Sequence, residues 1–324
     1  MTAYILRRLI QTVLVVVALS FVTYALMGLM PGDPLDVACA ANPHCTPENL
    51  EQMKTNLGLD RPVTERYARW VASFVQGDFG YSRIYRQPVS RILFPRLLNT
   101  AILGFFVILV SLIVAIPLGV VASLRPNTRL DYLVNFFAFS GISAPSFWLG
   151  LILIVVFSVW LGWLPAGGVE TVGLEEKLPV WAHLLDRAKY LILPVATLSC
   201  LTIAEWVRYT RASMLETLRL DFIRTARAKG LPWRAVVVRH GLRNALLPIV
   251  TVVALEFPRL ASGAVITETV FSYQGAGKLM YDSIIGNDFN VAMCSFMITS
   301  FLVLFMNLVA DVMYAYLDPR IVLR

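Results

Sequence analysis

Long apolar blocks set the rhythm of this chain. Leu9 to Met30, Leu97 to Leu124, Tyr132 to Leu164, Tyr190 to Val207, Ala245 to Ile266 and Phe289 to Tyr316 are free or nearly free of charged side chains. An α-helix needs about 18 or more apolar residues to cross a bilayer, so the pattern predicts an all-α polytopic membrane protein with six transmembrane helices. The third block would measure about 50 Å as one helix, too long for an upright crossing and too short for two. Pro145 divides it, which predicts one kinked or tilted helix running on into an interfacial segment near Trp160, Trp163 and Pro165. The organisation that follows is an N-terminal segment with the first span (1–30), an external loop domain (31–96), and a core (97–324). The core carries the other five spans and a polar cytoplasmic segment, 208–244.

Composition narrows the class. The 324 residues are 57% hydrophobic and 15% charged, against roughly 25% charged in soluble domains, which argues against a soluble enzyme, a nucleic-acid binder or a disordered chain. The net charge of +7 is unevenly placed. Arg7, Arg8, Arg125, Arg129, the group from Arg208 to Arg243, Arg320 and Arg324 share one side of the predicted spans, while segments 31–96, 165–189 and 267–288 on the other side carry slightly more acidic than basic residues. Basic loops stay in the cytoplasm, so both termini are predicted there, and the charge reads as topology with no nucleic-acid partner implied. The first apolar block exceeds the roughly 7–15 residues of a signal-peptide core, so it reads as a retained helix.

Of four cysteines, Cys39 and Cys45 fall in the external loop, where a disulfide or two free thiols are both open. Cys200 and Cys294 fall inside spans and read as small buried hydrophobes. The same loop contains two helix-forming stretches, Thr46 to Leu57 and Pro62 to Gln76, suited either to capping the bundle or to meeting a soluble partner.

Segment 208–244 alternates basic and apolar side chains, with Gly230-Leu231-Pro232 between two helix-like halves. It reads as a helix, a turn and a helix on the cytoplasmic face, either a lipid-headgroup anchor or a docking element. The small pair Thr225-Ala226 before Gly230 suggests an end narrow enough to enter another protein's groove.

At Asp221-Phe222-Ile223-Arg224-Thr225-Ala226-Arg227-Ala228-Lys229-Gly230-Leu231, followed by Arg239-His240-Gly241-Leu242-Arg243-Asn244-Ala245-Leu246-Leu247-Pro248, the chain resembles the permease subunits of ATP-binding-cassette importers, in the dipeptide, oligopeptide and nickel branch. Shorter runs in matching order extend the resemblance: Pro31-Gly32-Asp33-Pro34, Leu57 to Pro62, Gly77-Asp78-Phe79-Gly80, Glu268-Thr269-Val270-Phe271 and Leu317-Asp318-Pro319-Arg320. Arg224, Thr225 and Ala226 stand where the wider family has Glu-Ala-Ala, a departure usual for this branch. The resemblance implies a type I importer permease fold in a bacterial inner membrane, with residues 221–231 docking on an ATPase subunit. The partners it implies are a second homologous permease, two ATPases that hold ATP and Mg, an extracytoplasmic solute-binding protein, and membrane lipid. Peptides are the implied substrates, with nickel or another peptide-like solute as the alternative.

The chain carries no phosphate loop of its own. In Gly275-Ala276-Gly277-Lys278, Ser272 occupies the place of the first glycine and Leu279 that of the Mg-binding hydroxyl, so this reads as a Gly-rich turn before the last span. No cofactor, metal or catalytic residue is assigned to this chain. Glu256 and Arg259, three apart on the fifth span, and Glu205 near the inner end of the fourth, are the charges within the apolar blocks that a translocation path could use. The alternative is an i, i+3 ion pair that locks the helix, with Glu205 reaching for the interface. Asp311 reads as a structural hydrogen-bonding residue or a contact with a sister subunit. An autonomous channel would leave the basic cytoplasmic segment without a purpose, and an intramembrane enzyme would need a catalytic pairing that the spans lack.

Overall fold

Helix ends fall where the caps put them, and in several places beyond the apolar blocks. The computed structural model describes residues 2–28, 61–173 and 179–317. Cys39, Cys45, the stretch 46–57 and the terminal run 318–324 lie outside the described residues. α1 (Thr2–Met27) holds the first apolar block, and α2 (Val63–Val75) realises the amphipathic stretch expected after Pro62. α3 (Val89–Leu124) starts a full two turns before the apolar block because Pro88 opens it, and at about 54 Å it outruns the roughly 30 Å of a bilayer core.

α4 (Arg129–Ser143) starts at Thr128, whose side chain accepts the Asp131 amide, and stops at Ala144, held extended by the following Pro145. α5 (Ser146–Leu153) then leaves at 99° and continues as a π-helical turn, Ile154–Trp160. The third apolar block is therefore two helices with a break, a correction to the single kinked helix expected from its sequence. Pro145 removes an amide at a residue pair that has already left the helical region, so the ladder ends there instead of bending.

α6 (Val180–Thr217) is the longest element and carries Pro194 within it. The basic segment after α6 forms α7 (Asp221–Ala228) and α8 (Trp233–Ala235), and a π-helical run, Val236–Leu242, leads into α9 (Arg243–Gly263). Two short helices follow, α10 (Val265–Val270) and α11 (Ala276–Ile285), before α12 (Phe289–Leu317). The described residues are helical, with one isolated bridge between Tyr81 and Pro88.

Four of these helices, α1, α3, α6 and α12, are long and apolar enough to cross a membrane, and five spans result if the bent α4–α5 pair counts as one. α9, the fifth span in the sequence reading, is not among them. The core lies where α3 packs along α6, around Leu103, Val107, Leu193, Trp206 and Val207. That pair is close because of Gly119: a Cβ there would sit 2.5 Å from Cβ of Thr210 and 2.9 Å from the Val207 carbonyl oxygen.

Candidate coupling segment and charge cluster

α7 is short, and its sequence accounts for both ends. Asp221 places negative charge in the first turn, where the helix dipole favours it. At the other end Gly230 adopts φ +76°, the left-handed conformation of a C′ glycine, while the Leu231 amide reaches back to the Ala226 carbonyl. Pro232 then starts α8, and Trp233 returns under α7 with the Arg227 guanidinium 5.3 Å from its ring centroid.

The two faces of α7 differ. Ile223 and Ala226 are buried against Val236, which leaves Asp221, Phe222, Arg224, Thr225, Arg227, Ala228 and Lys229 outward, with Gly230 and Leu231 continuing that surface. The small side chain of Ala226 lets α7 sit close to Val236 of its own chain. The outward ion pair Arg224–Asp221, at 3.4 Å, is almost fully exposed on both sides and contributes little to stability.

Behind α7 the structure is tied down. Arg211 near the C-terminal end of α6 holds Asp131 at the start of α4 through two hydrogen bonds of 2.6 Å, and Asp131, only 3% exposed, also accepts from the Asn127 amide and Asn135. The Ser213 hydroxyl donates to the Ala245 carbonyl at 2.8 Å, joining α6 to α9. Met214, Val237 and Ala245 pack beneath these bonds, with Val120 and Leu124 of α3 against them. Four helices thus converge on the root of α7. Sequence reasoning missed Asp131–Arg211 because its members are 80 residues apart and both read as ordinary loop charges.

A second cluster joins α6 to α9. One guanidinium nitrogen of Arg259 lies 2.9 Å from Glu205 and 3.4 Å from Glu256, and Glu256 is also 3.5 Å from the Thr202 hydroxyl. The i, i+3 pair expected on α9 is present, but Glu205 belongs to it, which corrects the reading of Glu205 as a side chain reaching alone for the interface. Glu256 is 6% exposed and Arg259 is 55% exposed, so the cluster is anchored at one end and open at the other.

The turn that resembled part of a phosphate loop is occupied by the chain's own carboxylate. Glu268 on α10 is fully buried and accepts from the Thr100 hydroxyl at 2.6 Å and the Lys278 amide at 2.8 Å, while the Ala276 amide donates to Thr100. A Cβ at Gly275 would fall 2.2 Å from this carboxyl group, so glycine is required for the close approach. Burial pushes the Glu268 carboxyl above the usual carboxylate range, against the opposing pull of these hydrogen bonds. Nearby, the Asn99 amide donates to the Gln274 carbonyl, and Ser82 donates to Asp288 at 2.5 Å. Among the described residues no group of three His, Cys, Asp or Glu side chains is arranged to hold a metal.

Comparison with known proteins places this architecture. Residues 115–323 match the binding-protein-dependent transport system inner membrane component family, and residues 1–103 match the N-terminal region of such membrane components. The oligopeptide transport system permease protein AppB of Bacillus subtilis is 40% identical over 322 residues, covering 99% of both chains. The dipeptide transport system permease protein DppB of Escherichia coli K12 is 34% identical over 336 residues, and the glutathione transport system permease protein GsiC of Escherichia coli O1:K1 is 36% identical over 321, each covering 99% of both chains. Among solved structures, the MetNI methionine ABC transporter in an inward-facing form aligns with a TM-score of 0.53 at 19% identity, over 71% of this chain and 96% of that one. An amino acid ABC transporter crystallised with histidines aligns with the same TM-score at 13% identity, over 70% of this chain and 94% of that one. The family matches cover residues 1–103 and 115–323, the fold matches cover 70% and 71% of the chain, and the chain belongs to the binding-protein-dependent transport system inner membrane components.

Proposed function

We propose that this chain is a permease subunit of an ATP-driven importer of di- or oligopeptides. The observation that carries the reading is the full-length match to permeases named for oligopeptide, dipeptide and glutathione transport. In this reading α1, α3, the α4–α5 pair, α6, α9 and α12 are six spans, with both termini cytoplasmic and residues 31–96 external. The Arg8–Asp311 ion pair, 3.1 Å long, supports it by putting the start of α1 and the end of α12 at the same end of the bundle, as an even number of crossings requires.

The outward face of α7 is the docking surface for one of two ATPase subunits, which carry ATP and Mg. Closure of the ATPases pushes on α7, and the Arg211–Asp131 and Ser213–Ala245 links pass the push to α4, α6 and α9. A second homologous permease completes the path, and a solute-binding protein delivers peptide from outside. Within the path, the Glu205–Arg259–Glu256 cluster presents the polar surface that a zwitterionic solute needs. A charge 55% exposed on a spanning helix faces water or a partner subunit, because lipid would not tolerate it.

The test is purification of the tagged chain in mild detergent followed by an ATPase assay. Recovery of two ATPases and a second permease, with hydrolysis stimulated by peptide-loaded binding protein, supports the assignment. Recovery of the chain alone, without ATPase activity, overturns it.

A further inference from the structure

The helix that leads into α9 is wound too wide over one stretch. α8, the π-helical run Val236–Leu242 and α9 form one continuous helix, because Ala235 before the run and Arg243 after it both keep right-handed helical backbone angles. A π turn closes i→i+5 hydrogen bonds, so it holds one residue more than the α-helix it interrupts, and such turns are rare, short and frequent at functional sites. At its far end the Asn244 carboxamide donates to the His240 carbonyl at 2.7 Å, supplying a donor where the two hydrogen-bonding patterns meet.

The extra residue falls on three identical side chains. Val236 is buried against Ile223 and Ala226 of α7, Val237 is buried with Met214 of α6 and Ala245 of α9, and Val238 is 55% exposed. We infer that Val236–Leu242 is a two-register joint, in which the π run relaxes to α-helix by passing one residue toward α8. With α9 fixed, each upstream position is then filled by the next residue, so Val237 takes the seat of Val236 and Val238 that of Val237. Both apolar seats keep a valine. In the π register Val237, Gly241 and Ala245 are the buried positions. In the α register Val238, Leu242 and Ala245 fall at the i, i+4, i+7 spacing of one helix face. Upstream, Leu231, Pro232, Trp233 and Arg234 are all exposed and Gly230 already sits at φ +76°, so the contact given up is that of Arg227 with the Trp233 ring. The change turns α8 by about 100° and lengthens the turn after α7 by one residue. Downstream, the Ser213 hydroxyl holds the Ala245 carbonyl and keeps α9 in place. The joint does not depend on the proposed transport function; if α7 docks on an ATPase, it lets α7 travel without dragging α9.

The experiment is hydrogen–deuterium exchange of the full-length chain, purified with whatever subunits accompany it, because every change of register breaks and re-forms the hydrogen bonds of the run. In the wild type the amides of the run are expected to exchange about tenfold faster than those of the first turns of α9. Val238→Asp keeps the π register, where the side chain meets water, and bars the α register, where it would enter an apolar seat. Its melting temperature should be unchanged, and exchange in the run should slow about tenfold. Deletion of Val238 removes the extra residue and should fix the α register with the same slowing, whereas Val238→Ile stays apolar and should exchange as the wild type does. Exchange in the run no faster than in α9, or a rate that neither Val238→Asp nor the deletion lowers, overturns the proposal. A Val238→Asp chain that fails to fold overturns it as well, since the position would then be committed to the interior. None of these outcomes involves ATP hydrolysis or uptake, so they stand apart from the transport assignment.

Discussion

The α10–α11 cap and the α7–α8 segment are built from similar material and turn their polar groups in opposite directions. Both are short helices joined by a glycine turn: α10 and α11 around Gly275, α7 and α8 around Gly230. In the cap the polar groups turn inward. Glu268 is completely buried, and the Thr100 hydroxyl and the Lys278 amide meet it within 3 Å. In α7 only Ile223 and Ala226 turn inward, while Phe222, Arg224, Arg227 and Lys229 face out. A segment whose buried carboxylate is met by Thr100 of α3 and by the Lys278 amide is fastened to the bundle. One that displays basic and aromatic side chains on an anchored scaffold has surface left for a partner.

That contrast can be broken by mutation, and the largest effect should come from beneath α7. Asp131→Ala leaves the Arg211 guanidinium without its carboxylate in a largely buried position and should destabilise the bundle by about 3 kcal/mol, read as a lower melting temperature in detergent. Arg211→Ala should match it, and the double variant should fall well short of the sum. In the cap, Gly275→Ala forces a methyl group against the Glu268 carboxyl and should cost about 2 kcal/mol, whereas Gly173→Ala, whose Cβ would meet nothing within 4 Å, carries only the strain of its positive φ. Ala226→Leu belongs with these structural changes because its site is buried against Val236.

Substitutions on the outward face of α7 should behave differently. Arg224→Glu combined with Lys229→Glu should shift stability by no more than about 0.5 kcal/mol while abolishing ATPase stimulation by loaded binding protein. If those changes unfolded the chain, or left stimulation intact, the distinction between an inward-turned cap and an outward-facing α7 would fail. For the charge cluster, Arg259→Gln should reduce peptide uptake with normal assembly, and unchanged uptake of all peptides would remove Arg259 from the path. The smallest effect should be Thr202→Val, which loses one 3.5 Å contact to Glu256 and should cost well under 1 kcal/mol.

The α-helical class, the polar segments and the family resemblance could all be read along the chain because they depend on local signals. Apolar blocks of bilayer length, Gly230 before Leu231-Pro232, and the run from Asp221 to Leu231 are contiguous, and contiguity is what sequence displays directly. Helix lengths were less legible. α3 and α6 extend past their apolar blocks at Val89–Arg96 and Val180–Lys189, where charged residues remain helical because neighbouring elements hold them.

By itself the sequence determined a polytopic helical chain, the helix–turn–helix around Gly230 and the i, i+3 spacing of Glu256 and Arg259, which left a pair or a path lining both open. Tertiary structure alone decided that Pro145 breaks the third block through 99°, that Glu205 joins the Arg259 cluster, that Ala226 turns inward, and that Asp131 and Arg211 meet. The physical reason is range. Propensity, capping and hydropathy act over one or two turns, whereas the partner of a buried charge is chosen by whichever helix packs beside it, and that choice is made across 54 residues for Glu205 and 80 for Asp131.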